Sequence, residues 1–437
     1  MKPSFYNLSF EHNGAYYLYN TLSTAMAEVP EQFLRILESG SLSELDEDTI
    51  NAMMDAHFIV DDDADESLEF LYYYDSSRFH LTSESFNLTL IPTYGCNLCC
   101  PYCYQGEKKD YEVISHDKLM TISKFVENEI ERLKEKSSIK RLNITLFGGE
   151  PLVAKEELLD FCIKMDEIAN SYHCKPSFFM VSNFTLVDDD VIEMMRRFNM
   201  DVQVTIDGGR DFHNSRRVRK DGSGTFDCIL NNIKKCYVRG LKDHIQVRIN
   251  VDEKNIDTVD DVFKLVQPYV RTIYLAFLES FEGRNDSFKS CFHETGYSRM
   301  VVDKIAPISK QNGFPIMRPF GKRSPCYFNQ ENAFFVDSKL DVYKCDLMIG
   351  YPKGKSGRID NNGNFIPSPT YYKQMNYTPG NFSVCRNCTL LPVCGGGCPA
   401  REYVRNKRCD GSFHNNCEVT KEGLILLLKG YIDGLYE

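Results

Sequence analysis

The chain has no apolar run long enough to cross a lipid bilayer. The longest wholly aliphatic run near the C-terminus, Leu424–Leu428, is far shorter than the roughly 18 residues that a membrane span needs. The opening residues, Met1–Phe5, contain neither an apolar segment nor the small-residue cleavage site of a signal peptide. We therefore expect a cytoplasmic protein with no membrane partner.

Positive charge is also scarce. The 51 Lys and Arg residues are outnumbered by 62 Asp and Glu residues, which gives a formal net charge of -11. Binding to a phosphate backbone depends on clustered Lys and Arg, so we expect no nucleic-acid partner. Repeats and low-complexity tracts are missing, and 42% apolar with 26% charged residues is ordinary for a globular protein. For 437 residues this composition favours one large domain with smaller appendages.

Cysteine, by contrast, is abundant, with 17 residues in the chain. Cytosolic thiols stay reduced, so a disulfide framework is not expected in a chain without an export signal. The cysteines are clustered: four lie between Cys96 and Cys103, and six lie between Cys385 and Cys417. Metal ligation is therefore the leading interpretation.

Between Phe86 and about Gln311 the chain alternates short β-branched runs with amphipathic helical runs. This alternation is typical of a parallel sheet with crossover helices. The expected strands are Asn87–Pro92, Leu142–Phe147, Ser177–Asn183, Asp201–Asp207, Ile245–Val251 and Thr272–Glu279. We therefore predict an α/β fold built on a partial (β/α)6 barrel, with its chemistry at the carboxyl ends of the strands.

The chain on either side of this block has a different character. Residues 1–80 contain two alternating runs around Asn13-Gly14, which predict a hairpin, followed by two helical segments. The C-terminal third is rich in Gly, Pro, Asn and Cys, and such a segment needs metal ligation to hold its shape. We predict a small N-terminal α+β domain at 1–80, the barrel at 86–311 and a cysteine-rich domain at 320–437.

The first cysteine cluster follows the first expected strand. Cys96, Cys100 and Cys103 have C-x3-C-x2-C spacing. Three thiolates from one loop can hold three irons of a four-iron cluster and leave the fourth iron open to a small molecule. A zinc site is the alternative, although zinc usually takes four ligands and paired C-x2-C sequences. Cys99 is expected to face away from the ligands as a buried thiol.

This motif, its place after the first strand and the neighbouring Tyr102 and Tyr104 resemble the radical S-adenosylmethionine (SAM) enzymes. The resemblance implies that the open iron chelates the amino and carboxylate groups of SAM. One electron, delivered by a donor such as flavodoxin or ferredoxin, then cleaves SAM to methionine and a 5'-deoxyadenosyl radical. That radical abstracts hydrogen from the substrate.

Three further segments resemble the family at the ends of expected strands. Gly148-Gly149-Glu150-Pro151 resembles the segment that contacts the methionine amino group, and Ser182-Asn183 resembles the ribose-contacting position. Asp207-Gly208 is followed by His213 and Arg217, of which Arg217 is placed to meet the methionine carboxylate. The SAM contacts that the resemblance implies are Tyr102, Gly148, Gly149, Glu150, Ser182, Asn183, Asp207 and Arg217. Each of these residues could instead be satisfied within its own loop.

The second cysteine array resembles the SPASM extension of radical SAM enzymes, which carries two auxiliary iron–sulfur clusters. The resemblance implies one cluster held by Cys326, Cys345 and Cys398, and another held by Cys385, Cys388, Cys394 and Cys417. The total is then three [4Fe-4S] clusters. Cys409, a water or a substrate thiol would complete the three-cysteine set. A zinc ribbon is the alternative for this array.

One position departs from the SPASM pattern. The family usually has Gly five residues before the second cysteine of the array, whereas this chain has Leu340. This departure puts the local turn in doubt but leaves the ligands unaffected. Five scattered cysteines lack ligand spacing, and most of them are expected in the core: Cys162, Cys174, Cys228, Cys236 and Cys291.

Two functions compete on this resemblance. The N-terminal hairpin and helices resemble the small winged-helix module with which maturases of ribosomally made peptides (RiPPs) hold a leader segment, adding a strand to a sheet edge. This favours a RiPP maturase, an oxidoreductase whose partner is a precursor peptide with a leader. Asp346, directly after Cys345, resembles instead the catalytic base of anaerobic sulfatase maturases, which oxidise Ser or Cys to formylglycine. An electron carrier without turnover of its own is a third hypothesis.

Overall fold

The structure is a computed structural model. It describes residues 1–79, 84–106, 110–134, 139–278, 297–318, 320–321, 323–400 and 420–436. Cys417 and Cys409, for which ligand roles are expected, lie outside the described residues. Across the described residues, no helix combines the length and apolar character needed to span a bilayer.

The N-terminal region is a small α+β unit. Its strands are β1 (Lys2–Pro3), β2 (Asn7–His12), β3 (Ala15–Asn20), β4 (Met26–Val29) and β5 (Ile59–Val60), and its helices are α1 (Glu31–Ser39), α2 (Glu47–Asp55) and α3 (Glu66–Arg78). The expected hairpin joins β2 to β3, and Asn13 and Gly14 at its tip have φ of 51° and 80°. Positive φ at both tip residues is the requirement of a tight two-residue hairpin turn. The antiparallel sheet runs in the order β2-β3-β4.

Six parallel strands form the centre of the molecule. They are β6 (Ser85–Ile91), β7 (Arg141–Leu146), β8 (Lys175–Ser182), β9 (Asp201–Thr205), β10 (Ile245–Val251) and β11 (Thr272–Phe277). Each strand pairs in parallel with the next along the chain. All six lie within two residues of the predicted strand starts and ends, because β-branched alternation in buried strands is a strong local signal.

Helices cover the outer face of this sheet. They are α4 (His116–Lys134), α5 (Lys155–Ser171), α6 (Asp189–Arg197), α7 (Arg210–Arg216), α8 (Phe226–Val238) and α9 (Val259–Val266). The outward strand residues, such as Ile144, Val204 and Val247, are fully or almost fully buried against helix residues in one continuous core. The inward residues of the same strands are mostly polar, so they line the concave side of the sheet.

The sheet does not stop at the predicted end of the barrel. Strand β12 (Ala333–Asp337) pairs in parallel with β6, with Ala333 opposite Asn87. Antiparallel strands β13 (Asp341–Tyr343), β14 (Gly357–Ile359) and β15 (Phe365–Pro367) follow, which makes a sheet of ten described strands. These additional strands have three to five residues each. The sequence analysis missed them because runs this short carry little periodicity.

Shorter helices complete the chain. They are α10 (Tyr297–Met300), α11 (Ala306–Gln311), α12 (Pro369–Met375), α13 (Ser383–Arg386), α14 (Leu391–Cys394) and α15 (Lys421–Ile432), with a π-helical turn at Val301–Ile305. The N-terminal unit packs directly on this C-terminal region. Leu8, Phe10 and Tyr19 share a buried cluster with Val393 and Leu428. The two ends of the chain therefore form one packed interface beside the cysteine array.

Candidate functional site

The first cysteine loop leaves the carboxyl end of β6 and turns back at once. The Gly95 N–H bonds to Thr93 Oγ1 at 2.9 Å, and the Cys103 N–H bonds to the Cys100 carbonyl at 3.1 Å. The prediction that Cys99 is a buried thiol is wrong, because Cys99 is exposed. Leu98 takes the buried position instead, with 1% of its surface exposed.

The three predicted cluster ligands lie together in this loop. Burial raises the pKa of the Cys100 thiol to about 11, and the thiols of Cys96 and Cys103 are near enough to raise it further, while Arg217 opposes the shift. Cys96 Sγ accepts from the Leu98 N–H at 3.4 Å and from Asn183 Nδ2 at 3.8 Å. A thiolate at this place needs nearby positive charge or donors, and a bound metal cluster would supply that charge.

The Gly148-Gly149 pair allows the end of β7 to approach the cysteine loop. A Cβ on Gly149 would lie 2.1 Å from the Gly95 carbonyl oxygen, which is inside any permitted contact. The close approach lets the Gly149 N–H bond to the Thr93 carbonyl at 3.1 Å and the Glu150 N–H bond to the Gly95 carbonyl at 2.8 Å. These glycines are therefore required for the packing of the loop itself.

Glu150 is fully buried and its carboxylate is already engaged. Oε1 accepts from the Ser182 hydroxyl at 2.8 Å and the Leu152 N–H at 3.0 Å, while Oε2 accepts from the Asn183 N–H at 2.7 Å. Burial raises the pKa of Glu150 above its usual range, although these donors and the charge of Arg217 act in the opposite direction. In this geometry Glu150 orients the end of β8, and its side chain does not face an open site.

Tyr102, Asp207 and Arg217 form a second buried group across the site. Arg217 Nη1 donates to the Tyr102 hydroxyl at 2.7 Å and lies 3.8 Å from Asp207 Oδ2. The Tyr102 hydroxyl in turn donates to Asp207 Oδ2. The Nε of Arg217 is buried and has no hydrogen-bond partner among the described residues. This remaining donor is suited to an anionic group such as a carboxylate.

A buried chain of hydrogen bonds connects Asp207 to the backbone of Arg217. The Asp207 N–H donates to His213 Nδ1 at 3.2 Å, and His213 Nε2 lies 3.0 Å from Thr225 Oγ1. The Thr225 hydroxyl then donates to the Arg217 carbonyl at 2.6 Å. Since Nδ1 accepts, Nε2 carries the proton. Burial, aided by the charge of Arg217, lowers the pKa of His213 to about 3, so the imidazole is neutral.

Sequence reasoning missed several contributors to this site. No role was assigned to Thr225, Asn250 or Gln105 from the sequence. The Asn250 N–H donates to Asp207 Oδ1 at 3.2 Å. Gln105 Nε2 donates to the Gly148 carbonyl at 3.1 Å, and its Oε1 is buried without a partner among the described residues. The sequence offers one weak signal for each of two residues: Asn250 lies near a strand end, and Gln105 comes just after the cysteine motif.

The donors and acceptors of this site fit an iron–sulfur cluster with a small zwitterionic ligand. Three thiols converge in one loop, Arg217 offers an unused donor and Gln105 offers an unused acceptor. Within the described parts of the chain, no three His, Cys, Asp or Glu side chains converge closely enough to hold a single metal ion.

In the C-terminal region, three of the predicted auxiliary-cluster residues approach one another. Burial raises the pKa of Cys345 well above its usual range, and the charges of Asp346, Cys398 and Cys326 raise it further. Cys345 Sγ lies 3.3 Å from Asp346 Oδ1. The structure thus brings Cys326, Cys345, Cys398 and Asp346 into one neighbourhood.

Lys344, which the sequence analysis did not single out, lies beside this group. It is fully buried, and its Nζ donates to the carbonyls of Gln330 and Ala333. Burial lowers the pKa of Lys344 to about 7.

The remaining described cysteines of the array lie against the N-terminal unit. Cys385 and Cys388 pack with Tyr6, Phe70 and Tyr74 in one apolar cluster. Cys394 ends α14 in the same segment. This side of the array is therefore covered by residues that are more than 300 positions away in the sequence.

The turn at Leu340 shows how this chain accommodates the missing glycine. Leu340 has φ of 63°, a left-handed conformation that glycine adopts easily and leucine rarely does. The Leu340 side chain packs against the main core, and this packing offsets part of the cost of the left-handed conformation. Of the scattered cysteines, Cys162, Cys174 and Cys236 are buried as expected, Cys228 is only partly buried, and Cys291 lies outside the described residues.

Comparison with known proteins gives one family match and several relatives. Residues 90–266 match the Radical SAM superfamily. The chain is 24% identical to the serine-type anaerobic sulfatase-maturating enzyme of Bacteroides thetaiotaomicron, over 77% of this chain and 85% of that protein. It is 23% identical to the radical SAM cyclopropyl synthase TigE of Paramaledivibacter caminithermalis, over 71% of this chain and 67% of that protein.

Two solved structures share the fold. One is the structure of anSMEcpe with bound AdoMet and Cp18Cys peptide. It is 18% identical to this chain with a TM-score of 0.58, and the match covers 80% of this chain and 98% of that chain. The other is the structure of Streptococcus suis SuiB bound to precursor peptide SuiA. SuiB is 13% identical to this chain with a TM-score of 0.58, and the match covers 96% of this chain and 100% of that chain. The chain therefore contains a radical SAM domain, from a superfamily that binds a [4Fe-4S] cluster and SAM, and it is related both to an anaerobic sulfatase-maturating enzyme and to a radical SAM cyclopropyl synthase.

Proposed function

We propose that this protein is a radical SAM maturase that modifies a ribosomally made precursor peptide and holds the leader of that peptide with its N-terminal unit. The observation that carries the proposal is the extent of structural similarity. The match to SuiB, solved with a precursor peptide, takes in 96% of this chain, whereas the match to anSMEcpe takes in 80%. The strands β2 and β4 are sheet edges, to which an extended leader can add a strand.

In this proposal the residues of the barrel hold the cluster and SAM. Cys96, Cys100 and Cys103 ligate the cluster. Arg217, whose Nε is unused among the described residues, would bind the SAM carboxylate, and Asn183 would contact the ribose. When bound, the cluster and SAM supply a 5'-deoxyadenosyl radical that abstracts hydrogen from the peptide.

The supporting residues of the barrel act through position. Glu150 fixes the Ser182–Asn183 segment through three hydrogen bonds. The neutral His213 fixes the backbone of Arg217 through Thr225. All these groups are buried, so their hydrogen bonds are shielded from competition by water.

The C-terminal array would hold auxiliary clusters that supply an acceptor for the electron that the peptide loses, and Asp346 would accept the proton. Cys326, Cys345 and Cys398 hold one SPASM-type cluster, and Cys385, Cys388, Cys394 and Cys417 hold the other. Asp346, 3.3 Å from Cys345 Sγ, takes up the proton at its carboxylate. The cluster count would then be three, and the reaction would be a net oxidation of the peptide.

Sulfatase maturation is the second candidate, and it is supported by one relationship and one residue. The relationship is the 24% identity to the Bacteroides enzyme over 77% of this chain. The residue is Asp346, whose place beside Cys345 suits removal of a proton from an oxidised Ser or Cys. That candidate leaves the N-terminal unit without a role in substrate binding.

The two candidates are separated by their products. Anaerobically reconstituted protein, reduced and supplied with SAM, is incubated either with short peptides encoded by neighbouring reading frames or with a sulfatase peptide that contains Ser or Cys. We expect 5'-deoxyadenosine and a neighbouring-frame peptide that has lost hydrogen and carries no aldehyde. An aldehyde formed on the sulfatase peptide, with the neighbouring-frame peptides unchanged, would contradict the proposal.

Two variants test the assigned residues in the same assay. Joint replacement of Cys96, Cys100 and Cys103 by Ala is expected to remove one cluster and all SAM cleavage, while Cys99→Ala, in the same loop, leaves both intact. Asp346→Asn is expected to retain 5'-deoxyadenosine formation and to lower the finished product by about 10²-fold, the scale of a lost positioned base. Normal product yield from Asp346→Asn would contradict the proton-acceptor role.

A further inference from the structure

The concave face of the parallel sheet carries an arginine whose role is not explained by the cluster and SAM site. Arg248 on β10 pairs in register with Thr205 on β9 and with Tyr274 on β11. Its strand neighbours Val247 and Ile249 are fully buried in the core under the helices. Alternation along the strand therefore directs Arg248 to the opposite, concave side.

The guanidinium of Arg248 is held by two neutral side chains, Asn250 and Tyr274. Its Nε donates to Asn250 Oδ1 at 2.8 Å, and its Cζ lies 5.9 Å from the centre of the Tyr274 ring. Among the described residues, no carboxylate forms an ion pair with Arg248, and the side chain is only partly buried. Arg248 also forms a side-chain hydrogen bond with Tyr274, so these two side-chain partners are both neutral, and the guanidinium, with five N–H donors, keeps donors for a further partner on the concave face.

The groups around Arg248 are polar and neutral. Among the described residues, the Tyr274 hydroxyl donates to Gln203 Oε1, Thr205 is the β9 partner of Arg248 in the sheet, and Asn250 accepts from its Nε. Burial raises the pKa of Tyr274, so the phenol stays neutral and does not act as a counter-charge. A partly buried cation with only neutral partners is stabilised by an anionic ligand.

Arg248 lies next to the proposed reaction site but outside it. Asn250, two residues further along β10, donates its N–H to Asp207 Oδ1, and its Nδ2 is 3.5 Å from the Tyr102 hydroxyl. Two residues of a strand span about 7 Å. Arg248 is therefore about one strand repeat deeper in the concavity than the Tyr102–Asp207–Arg217 group, within reach of a substrate that approaches that group from inside the barrel.

We propose that Arg248, Asn250 and Tyr274 form a carboxylate-binding subsite that recognises an acidic group of the peptide substrate near the residue that is modified. The inference rests on the proposed peptide-modifying function. The carboxylate belongs either to an Asp or Glu side chain or to the C-terminus of the peptide. Arg248 pairs with both carboxylate oxygens, Asn250 orients the guanidinium and Tyr274 bounds the subsite.

The first test does not depend on turnover. Reconstituted protein is treated with phenylglyoxal, which modifies arginine, and labelling of Arg248 is followed by mass spectrometry. N-acetylglutamate α-amide is expected to slow labelling of Arg248 by about tenfold at a concentration at which N-acetylglutamine α-amide has no effect. Arg141, exposed at the start of β7, is the internal control and is expected to label equally under both conditions. Equal labelling of Arg248 with both compounds would overturn the inference.

The second test uses the peptide that is turned over. In the unaltered enzyme, converting the recognised acidic residue of the peptide to its amide is expected to raise KM by about 10- to 100-fold, the range of one hydrogen-bonded charged contact. In Arg248→Gln the acidic and amide peptides are expected to have equal KM, and Arg248→Lys is expected to restore part of the difference. An unchanged ratio in Arg248→Gln would overturn the inference.

The same experiment identifies the source of the carboxylate. A response to C-terminal amidation alone assigns the C-terminus, and a response to an Asp or Glu replacement alone assigns a side chain. Protection of Arg248 in the labelling test, together with a lack of modification of any peptide, would instead mean that the subsite exists and that the peptide-modifying function is wrong.

Discussion

The buried histidine of the site makes a quantitative prediction about pH and stability. His213 has a pKa of about 3 in the folded protein, because burial and then the charge of Arg217 disfavour the imidazolium. The ordinary histidine pKa is about 6.5, so the unfolded chain takes up a proton at a pH where the folded chain does not. The stability contributed by the neutral imidazole is therefore present above about pH 6.5 and is lost as the pH falls towards 3.

The magnitude follows from the difference between the two pKa values. Each pH unit below about 6.5 lowers the free energy of unfolding by about 1.4 kcal/mol until the folded pKa is reached. Between about pH 7.5 and about pH 5.5 the loss from His213 alone is therefore about 1.4 kcal/mol. His213→Gln keeps a donor and an acceptor at this place and cannot titrate, so this part of the pH dependence is expected to disappear.

The assay is urea unfolding of cluster-loaded protein under anaerobic conditions, followed by circular dichroism at the two pH values. Other groups titrate as well, so the quantity to compare is the pH-dependent change in each protein and not its stability at one pH. His116→Gln, an exposed histidine at the start of α4, is the matched control and is expected to keep the pH dependence of the unaltered protein. Parallel pH dependences for the unaltered protein and His213→Gln would refute the reasoning.

Two further predictions concern the backbone. Gly149→Ala places a methyl group 2.1 Å from a carbonyl oxygen of the cysteine loop, so we expect the iron content after reconstitution to fall by about one cluster; Gly209→Ala, which meets no atom within 4 Å, should retain full iron. Equal iron content in the two variants would contradict the steric argument. Leu340→Gly is expected to change the free energy of unfolding by no more than about 1 kcal/mol, because relief of a left-handed conformation worth about 1–2 kcal/mol offsets the lost packing. Leu340→Ala loses the packing and keeps the strain, so it is expected to be less stable than Leu340→Gly in the same urea titration, and the reverse order would argue against strain at this turn.

The cysteine motif and the parallel strands were accessible from the sequence for a local reason. Strand β10 was predicted at Ile245–Val251 and is found there, because alternation of buried and half-buried residues is written into consecutive positions. The spacing of Cys96, Cys100 and Cys103 likewise constrains one short loop. The conformation of such segments is set by neighbouring residues, so it can be predicted without information about distant parts of the chain.

The roles of individual site residues were less accessible. Glu150 was predicted as a contact to SAM, which stays a prediction, but the sequence did not indicate that its carboxylate accepts hydrogen bonds from Ser182, Asn183 and Leu152. The hydrogen-bond partners of a buried carboxylate at a strand end depend on the register between that strand and its neighbour. This register is set by the pairing of the two strands, so it cannot be inferred from the carboxylate residue alone. The exposed position of Cys99 has a similar origin, since adjacent Leu98 competes for the same buried place.

The sequence by itself determined the six-strand core, the hairpin at Asn13-Gly14 and the grouping of the cysteines, because each depends on local periodicity, turn chemistry or spacing. Only the tertiary structure decided that β12 extends the sheet from β6 and that the N-terminal unit covers Cys385 and Cys388. It also decided that Arg248 points into the concavity without a counter-charge among the described residues. These features join segments tens to hundreds of residues apart, and the free energy that selects them comes from burying surfaces against each other once the chain has folded.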